Sequence, residues 1–204
     1  MIGVINYGLG NIKAFLNVYE RLNVAAKIIK NEIDFEGISK LILPGVGAFD
    51  QAMIKLNSSG LRDKLEILVC NDKIPILGVC VGMQMLSNSS DEGDLAGLGW
   101  IDGEVKKFNY LDIPYKTKLP HMGWNNVSIK NDNPLMKGLS ENSKFYFLHS
   151  YFFSCSDKSN VLTSTNYGKE FTSAVNHENV YGVQFHPEKS HNNGVTILNN
   201  FSSL

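Results

Sequence analysis

A cysteine inside an apolar run is the first residue in this chain whose setting could support chemistry. Residues 76–86 read ILGVCVGMQML, an apolar strand that stops at Cys80 and resumes with helical spacing. This pattern predicts a nucleophile elbow, a sharp strand-to-helix turn that needs small neighbours such as Gly78 and Gly82. Unpaired N–H groups at a helix N-terminus favour a thiolate. We therefore predict Cys80 as a nucleophile, although a lone cysteine in an apolar run is more often a small buried residue.

A candidate base lies far downstream, in residues 181–190, which read YGVQFHPEKS. A β-branched and aromatic run brings His186 to a strand end, and Pro187 stops the strand. Glu188 follows closely enough to orient the imidazole and to stabilise its charged form. Taken alone, the histidine and the Pro-Glu pair are ordinary surface and turn residues. Together with Cys80 they predict a catalytic triad for nucleophilic attack on a carbonyl.

A glycine-rich loop, residues 44–50 (PGVGAFD), follows the strand predicted at residues 41–43. Glycines on both sides of Val46 allow its backbone N–H to turn into a neighbouring pocket instead of the sheet. We predict that the backbone N–H groups of Val46 and Val81 form an oxyanion hole. The alternative for Val46 is a simple glycine turn.

Composition narrows the class of protein. The chain has 204 residues, which favours one domain over residues 1–204, and its net charge of −1 indicates neither a nucleic-acid partner nor a membrane surface. The three cysteines lack CxxC spacing, which argues against disulfides and zinc and favours a reducing compartment. Without a leader-like N-terminus we predict a cytoplasmic protein. The loop at Gly8 and Gly10 is similar to a dinucleotide loop, but Lys13 replaces the third glycine, so we predict no cofactor.

The order of the predicted elements determines the expected fold. Strands are predicted at residues 2–5, 26–29, 41–43 and 76–80, and helices at 12–22, 49–56, 61–70 and 195–201. After the polar segment 87–94, short strands are predicted at 105–108, 125–129, 145–148, 161–166, 172–176 and 180–185. This pattern predicts an α/β fold, an open and mostly parallel sheet with helices on both faces and a small antiparallel extension. Ligands of such sheets bind at the carboxyl ends of the strands, where this arrangement brings the Val46 loop, Cys80 and His186.

The Gly-Val-Cys-Val-Gly and Gln-Phe-His-Pro-Glu motifs together resemble those of the class I glutamine amidotransferases, triad-type glutaminases with a flavodoxin-like sheet. Residues 6–11, 44–49, 119–125, 145–151 and the His186 motif extend the resemblance, over nearly the whole chain, to the glutaminase subunits of imidazole glycerol phosphate synthase. The resemblance implies a triad of Cys80, His186 and Glu188. It also implies glutamine-binding roles for four further positions: Gly47, Gln84, Ser150 and Tyr151.

The resemblance further implies a partner, a (β/α)8-barrel cyclase that receives the ammonia and makes imidazole glycerol phosphate for histidine biosynthesis. It places Asn11, Trp124 and Tyr146 at the docking surface, although Trp124 could equally belong to the core. Because residues 45–47 are flexible, we expect an oxyanion donor to stay misdirected until the partner docks. Residues 100–104 and 189–194 depart from the family pattern. They leave open a paralogous glutaminase that supplies a sugar-amidating synthase in surface-polysaccharide biosynthesis, and a non-catalytic binding subunit is a further alternative.

Overall fold

The computed structural model describes all residues from 1 to 204. Strands and helices alternate in the amino-terminal part of the chain. Helix α1 forms because Phe15, Val18 and Tyr19 recur at helical spacing and are buried together. The elements of this part are β1 (Ile2–Ile5), α1 (Ile12–Arg21), β2 (Ala26–Ile29), β3 (Lys40–Gly45), α2 (Phe49–Ser58), α3 (Arg62–Glu66), β4 (Ile76–Cys80) and α4 (Val81–Gln84).

The rest of the chain is mainly short strands, followed by one closing helix. They are β5 (Ser89–Ser90), β6 (Gly103–Lys107), β7 (His121–Asn126), β8 (Ser128–Ile129), β9 (Lys144–His149), β10 (Tyr151–Cys155), β11 (Val161–Tyr167), β12 (Lys169–His177), β13 (Val180–Val183) and α5 (His191–Ser203).

Eleven strands form one large sheet, in the order β2-β1-β3-β4-β13-β12-β10-β6-β5, with β11 paired to β12 and to β8. The first five strands of this order are parallel, and the antiparallel pairing begins between β13 and β12. Strands β7 and β9 form a separate antiparallel pair. The predicted α/β architecture with an antiparallel extension is confirmed.

Helices cover both faces of the parallel part. The connection from β1 to β2 and the connection from β3 to β4 run in opposite directions along the sheet. Because such crossovers are right-handed, helices α1 and α2 lie on opposite faces of the sheet. Helix α1 packs against α5, whereas α2 packs against α3 and α4. The reversal between β1 and β3 leaves a crevice at the carboxyl ends of the strands, the usual ligand site in such sheets. None of the helices combines the length and apolarity needed to cross a membrane.

Strand β10 was not predicted from the sequence. A strand was predicted at residues 145–148 and none directly after it, but in the structure β10 follows β9 after the single residue Ser150, where the chain leaves the small sheet and enters the large one. The strand predicted at residues 125–129 is likewise divided between β7 in the small sheet and β8 in the large one. Periodicity reports burial along a strand and does not report a change of sheet.

Three predicted helices differ from the structure. The helix predicted at residues 61–70 is α-helical only over Arg62–Glu66 and continues as a π-helical turn over Ile67–Asn71. The helix after Cys80 is a single turn, because the carbonyl groups of Met85, Leu86 and Ser87 accept hydrogen bonds from the backbone of residues 98–101 instead of continuing the helix. Helix α5 begins at His191, four residues before the predicted start. Its polar first turn is helical because Gly194 packs against Pro187, where an added Cβ would approach the carbonyl oxygen to 1.8 Å.

Candidate active site

Cys80 lies at a strained turn between β4 and α4. Its backbone has φ of 56° and ψ of −113°, an uncommon conformation for a residue with a side chain. The turn is tightly packed: a Cβ on Gly82 would lie 1.9 Å from the carbonyl oxygen of Leu43, and one on Gly78 would lie 2.6 Å from that of Gly82. The predicted elbow and its need for small neighbours are thus found in the structure. Because α4 has only four residues, its dipole offers the sulfur less support than the sequence suggested.

The structure brings His186 and Glu188 together with Cys80. Strand β13 ends at Val183, so His186 lies beyond the strand and precedes the short turn that contains Glu188. Nδ1 of His186 lies 2.9 Å from Oε1 of Glu188, and both side chains are buried. Burial alone would lower the pKa of His186, but its interactions with the neighbouring sulfur of Cys80 and the carboxylate of Glu188 outweigh burial and raise the pKa to about 10. A protonated imidazole next to the sulfur is the arrangement in which a cysteine attacks as a thiolate.

Two further groups contact the sulfur. The Sγ atom of Cys80 lies 3.9 Å from the carbonyl oxygen of Leu148 and 3.9 Å from Nε2 of Gln184. Gln184 is fully buried, and its oxygen accepts a hydrogen bond from Gln84. The sulfur is therefore held between β4, the end of β9 and the segment after β13.

A cavity of about 290 Å³ opens beside Cys80. The predicted site residues that line it are Val46, Gly47, Cys80, Val81, Gln84, Ser150, Tyr151 and His186. Gly47 has φ of +97°, a conformation that glycine adopts readily and that shapes the loop around Val46. The side chain of Glu188 stays behind His186 and does not reach the cavity wall. The structure thus gathers the predicted nucleophile, base, oxyanion donors and binding positions around one space.

Five cavity residues were not predicted from the sequence, namely Glu92, Pro120, Leu148, His149 and Lys189. Glu92 lies in the polar segment after the elbow. The only sequence feature that could have indicated a role in the cavity is that it is a carboxylate in a loop. Its Oε2 accepts a hydrogen bond from the backbone N–H of Phe49, which fixes the carboxylate at the start of α2. His149 precedes the predicted Ser150 and Tyr151 directly, but nothing in its sequence setting marks it as polar and buried.

The residues predicted to face a partner lie outside the cavity. Trp124 is 47% exposed and so is not a core residue. Its ring is parallel to that of His191 at 5.0 Å and meets Tyr146 edge-on at 6.3 Å. Asn11 is exposed at the start of α1, in the loop after β1. Met122 is exposed on the same strand as Trp124, so β7 presents an apolar surface to solvent.

The other titratable groups do not form a second centre of this kind. No group of three or more His, Cys, Asp or Glu side chains is arranged to hold a metal ion. Burial raises the pKa of Cys155 to about 12, and burial with a hydrogen bond to Glu66 raises that of Cys70 to about 11. Both thiols are therefore poor nucleophiles near neutral pH.

Comparison with known proteins agrees with this geometry. Residues 3–203 match the family described as glutamine amidotransferase class-I. The imidazole glycerol phosphate synthase subunit HisH of Leptospira borgpetersenii is 55% identical over 100% of both chains, and that of Bdellovibrio bacteriovorus is 54% identical over 100% of both. A crystal structure titled as a glutamine amidotransferase shares the fold, with a TM-score of 0.75 and 18% identity over 100% of this chain and 99% of the other. The chain belongs to the class I glutamine amidotransferase family, and its full-length relatives include HisH subunits.

Proposed function

We propose that this chain is the glutaminase subunit of an imidazole glycerol phosphate synthase, acting as one domain over residues 1–204. The observation that carries the proposal is the meeting of the Cys80 sulfur, the His186 imidazole and the Glu188 carboxylate beside a cavity. Family membership and full-length similarity to HisH subunits support glutamine as the substrate and histidine biosynthesis as the pathway. The three free cysteines fit a reducing compartment, so we place the protein in the cytoplasm.

In the proposed reaction, Sγ of Cys80 attacks the side-chain carbonyl carbon of glutamine as a thiolate. The carbonyl oxygen becomes an oxyanion, which the backbone N–H groups of Val81 and Val46 stabilise. His186 gives its proton to the amide nitrogen. The C–N bond then breaks, ammonia departs, and the acyl group remains bound to Cys80 as a thioester. His186 then takes a proton from water, whose oxygen attacks the thioester carbon. The C–S bond breaks, glutamate is released, and the Cys80 thiolate is restored next to the protonated His186. Glu188 keeps the imidazole oriented throughout.

The charged walls of the cavity suit an amino-acid substrate. Glu92 uses one carboxylate oxygen on the backbone of Phe49, so the other is available for the α-ammonium group of glutamine. Both N–H bonds of the Gln84 amide go to protein oxygens, those of Tyr151 and Gln184, so its own oxygen is available to a substrate N–H. Gly47, Ser150 and Tyr151 complete the binding positions.

We further propose that the ammonia passes to a (β/α)8-barrel cyclase, which docks on the surface that includes Asn11, Trp124, Tyr146 and exposed Met122. An exposed tryptophan packed against Tyr146 is typical of an interface anchor. Free ammonia would be protonated and lost in water, so a waiting acceptor is an advantage. The loop at Val46 offers the control point, since Gly47 permits two backbone arrangements and the partner can favour the active one.

The test is to measure glutamine hydrolysis by the purified chain alone, then with the cyclase from the same cell, and then with a sugar-amidating synthase. We expect a slow basal rate and strong stimulation by the cyclase carrying its acceptor ligand. Stimulation only by the sugar-amidating synthase would replace the histidine pathway with the paralogous one. A chain that does not hydrolyse glutamine under any of these conditions would contradict the glutaminase assignment. If the purified chain were fully active without any partner, this result would contradict the proposed control of its activity by the Val46 loop.

A further inference from the structure

A buried chain of hydrogen bonds joins strand β7 to the cavity and has no part in the proposed chemistry. His121 and His149 are opposite each other in the β7–β9 pair. Nδ1 of His121 lies 2.9 Å from Nε2 of His149. At one end, Nδ2 of Asn125 lies 3.2 Å from Nε2 of His121. At the other, Nδ1 of His149 lies 2.7 Å from the carbonyl oxygen of Tyr151. Every ring nitrogen of the two histidines therefore has a partner.

When both rings are neutral, only one assignment of donors and acceptors is possible along this chain of hydrogen bonds. The carbonyl oxygen of Tyr151 can only accept, so Nδ1 of His149 carries the proton and Nε2 of His149 must accept. Nδ1 of His121 therefore donates, its Nε2 accepts, and Asn125 donates to it. The tautomers of both histidines follow from one carbonyl group.

The surroundings keep both rings neutral and fixed. His121 stacks on Tyr167 at 4.1 Å and on Phe147 at 4.8 Å. Phe171 packs against His121 and His149 at 5.7 and 5.2 Å. Burial lowers the pKa of His121 to about 4. Burial, and after it the charge of a protonated His121 nearby, lowers the pKa of His149 to about 3. An uncharged pair held between aromatic rings has little freedom to turn.

The chain ends at groups that line the cavity. The carbonyl oxygen of Tyr151 also accepts a hydrogen bond from Nε2 of Gln84 at 3.1 Å. The same Nε2 donates to Oε1 of Gln184 at 3.0 Å, and Gln184 contacts the sulfur of Cys80. The peptide that carries the Tyr151 carbonyl is thus held from two sides, by the imidazole of His149 and by the amide of Gln84.

We propose that His121 and His149 are positioning residues for glutamine, which act by fixing the Ser150–Tyr151 segment of the cavity through this one-directional chain from Asn125. The proposal rests on the glutaminase function proposed above. Without the imidazole of His149, Gln84 is the only side chain that holds the Tyr151 carbonyl, while the segment stays paired to β6 through its backbone. The carbonyl and the Gln84 amide then lose one of the contacts that set their orientation toward the substrate. The chain starts on the inner face of β7, whose outer face carries exposed Met122 and Trp124.

The test compares the full-length variants His149→Leu and His149→Asn. Leucine removes both hydrogen bonds, whereas asparagine can place a donor where Nδ1 of the imidazole stood. We expect His149→Leu to raise KM for glutamine about tenfold, the effect of losing one positioning hydrogen bond, with kcat changed much less. His149→Asn should recover most of the loss. Calorimetry in a Cys80→Ala background measures glutamine binding without turnover. In that background the His149→Leu variant should bind glutamine most weakly, and the His149→Asn variant should bind it nearly as tightly as the chain that keeps His149.

Phe201→Leu is the matched control, because Phe201 is fully buried in α5 and packs against Tyr181 instead of the two histidines, so the substitution loosens the core and leaves the hydrogen-bonded pair and its packing in place. It should lower the unfolding temperature and leave KM unchanged. If His149→Leu does not fold, His121→Asn interrupts the chain one step earlier and should raise KM by about threefold. If the His149→Leu and His121→Asn variants bind glutamine as tightly as Phe201→Leu does, the proposal is overturned. A wild-type chain without glutaminase activity would instead contradict the proposed function, so the two failures are distinguishable.

Discussion

The imidazole of His186 and the carboxylate of Glu188 meet at 2.9 Å, and each side chain is only 3% exposed. The second carboxylate oxygen of Glu188 is buried without a hydrogen-bond partner. A buried carboxylate with an unsatisfied oxygen is costly, so its stabilisation depends strongly on the imidazole that it orients. This dependence is mutual, since a protonated His186 is stabilised by the carboxylate.

We predict that Glu188→Gln lowers kcat by about 10²-fold, less than His186→Ala does. Glutamine can still accept from Nδ1 and hold the ring, and only the stabilisation of the imidazolium is lost, whereas alanine removes the proton carrier. Steady-state glutaminase rates with the stimulating partner measure both effects. Glu178→Gln, which changes an exposed carboxylate paired with Lys73, is the control and should be as active as wild type. Equal and complete loss in both triad variants would show that Glu188 does more than orient and stabilise.

Cys80→Ala should abolish glutamine hydrolysis and leave the fold and partner binding intact, because alanine keeps the Cβ and loses only the sulfur. Cys80 is 4% exposed, so its reactivity depends on access through the cavity. A glutamine-derived affinity label followed by peptide mass analysis should modify Cys80. Cys70→Ala and Cys155→Ala are the matched variants and should keep normal labelling and activity. Labelling at Cys70 or Cys155 in the wild type would mean that the elbow has been assigned to the wrong cysteine.

Gly82→Ala should destabilise the protein by about 3 kcal/mol or more, since a Cβ there would overlap the carbonyl oxygen of Leu43 on β3. The elbow that carries Cys80 would move with it, so activity should fall as well. Urea unfolding measures the loss of stability. Gly60→Ala is the control, because Gly60 has φ of +75° with open space around it. It should cost only about 1 kcal/mol, from backbone conformation alone. A Gly82→Ala protein as stable as Gly60→Ala would contradict the close approach of the elbow to β3.

The two buried histidines should make the protein sensitive to mild acid. Their pKa values are lowered in the fold from 6.5 to about 4 for His121 and about 3 for His149. In mild acid the unfolded chain therefore binds more protons than the folded chain does. The contribution of the two neutral rings to folding stability is complete above pH 6.5 and is lost as pH falls through the folded pKa values of about 4 and 3. At about pH 5 the loss reaches roughly 2 kcal/mol for each histidine. His186 acts in the opposite sense: its contribution is complete below pH 6.5 and is lost as pH rises toward about 10.

Urea unfolding between about pH 7.5 and 5 checks this prediction, in a range above the titration of most carboxylates. His149→Asn should show a smaller acid slope than wild type. His177→Asn, at an exposed strand end, is the control and should keep the wild-type slope. Because His186 contributes in the opposite sense in both proteins, the comparison of slopes is the test, and a His149→Asn slope equal to that of wild type would mean that His149 is protonated without cost in the folded protein.

Much of the site follows from local sequence. The strand before Cys80, the small residues around it and the two-residue spacing of His186 and Glu188 act over a few residues, and such short-range constraints can be inferred from residue type. The alternation of strands and helices in the first half likewise predicts the parallel sheet, because crossovers have one hand. These patterns were sufficient to predict the candidate nucleophile, its base and the edge of the sheet where they meet.

Other features depend on contacts between distant segments, which no local pattern encodes. The division of one aromatic run into β9 and β10 depends on which sheet each half joins. The His121–His149 pair exists only in the register of β7 against β9, and Glu92 reaches the cavity only because its carboxylate bonds to the start of α2. From the sequence Trp124 could belong equally to the core or to a docking surface, and it is exposed because its strand has a free outer face. Residue type and spacing by themselves determined the candidate chemistry of this protein, whereas strand pairing in the tertiary structure decided which buried polar groups support it.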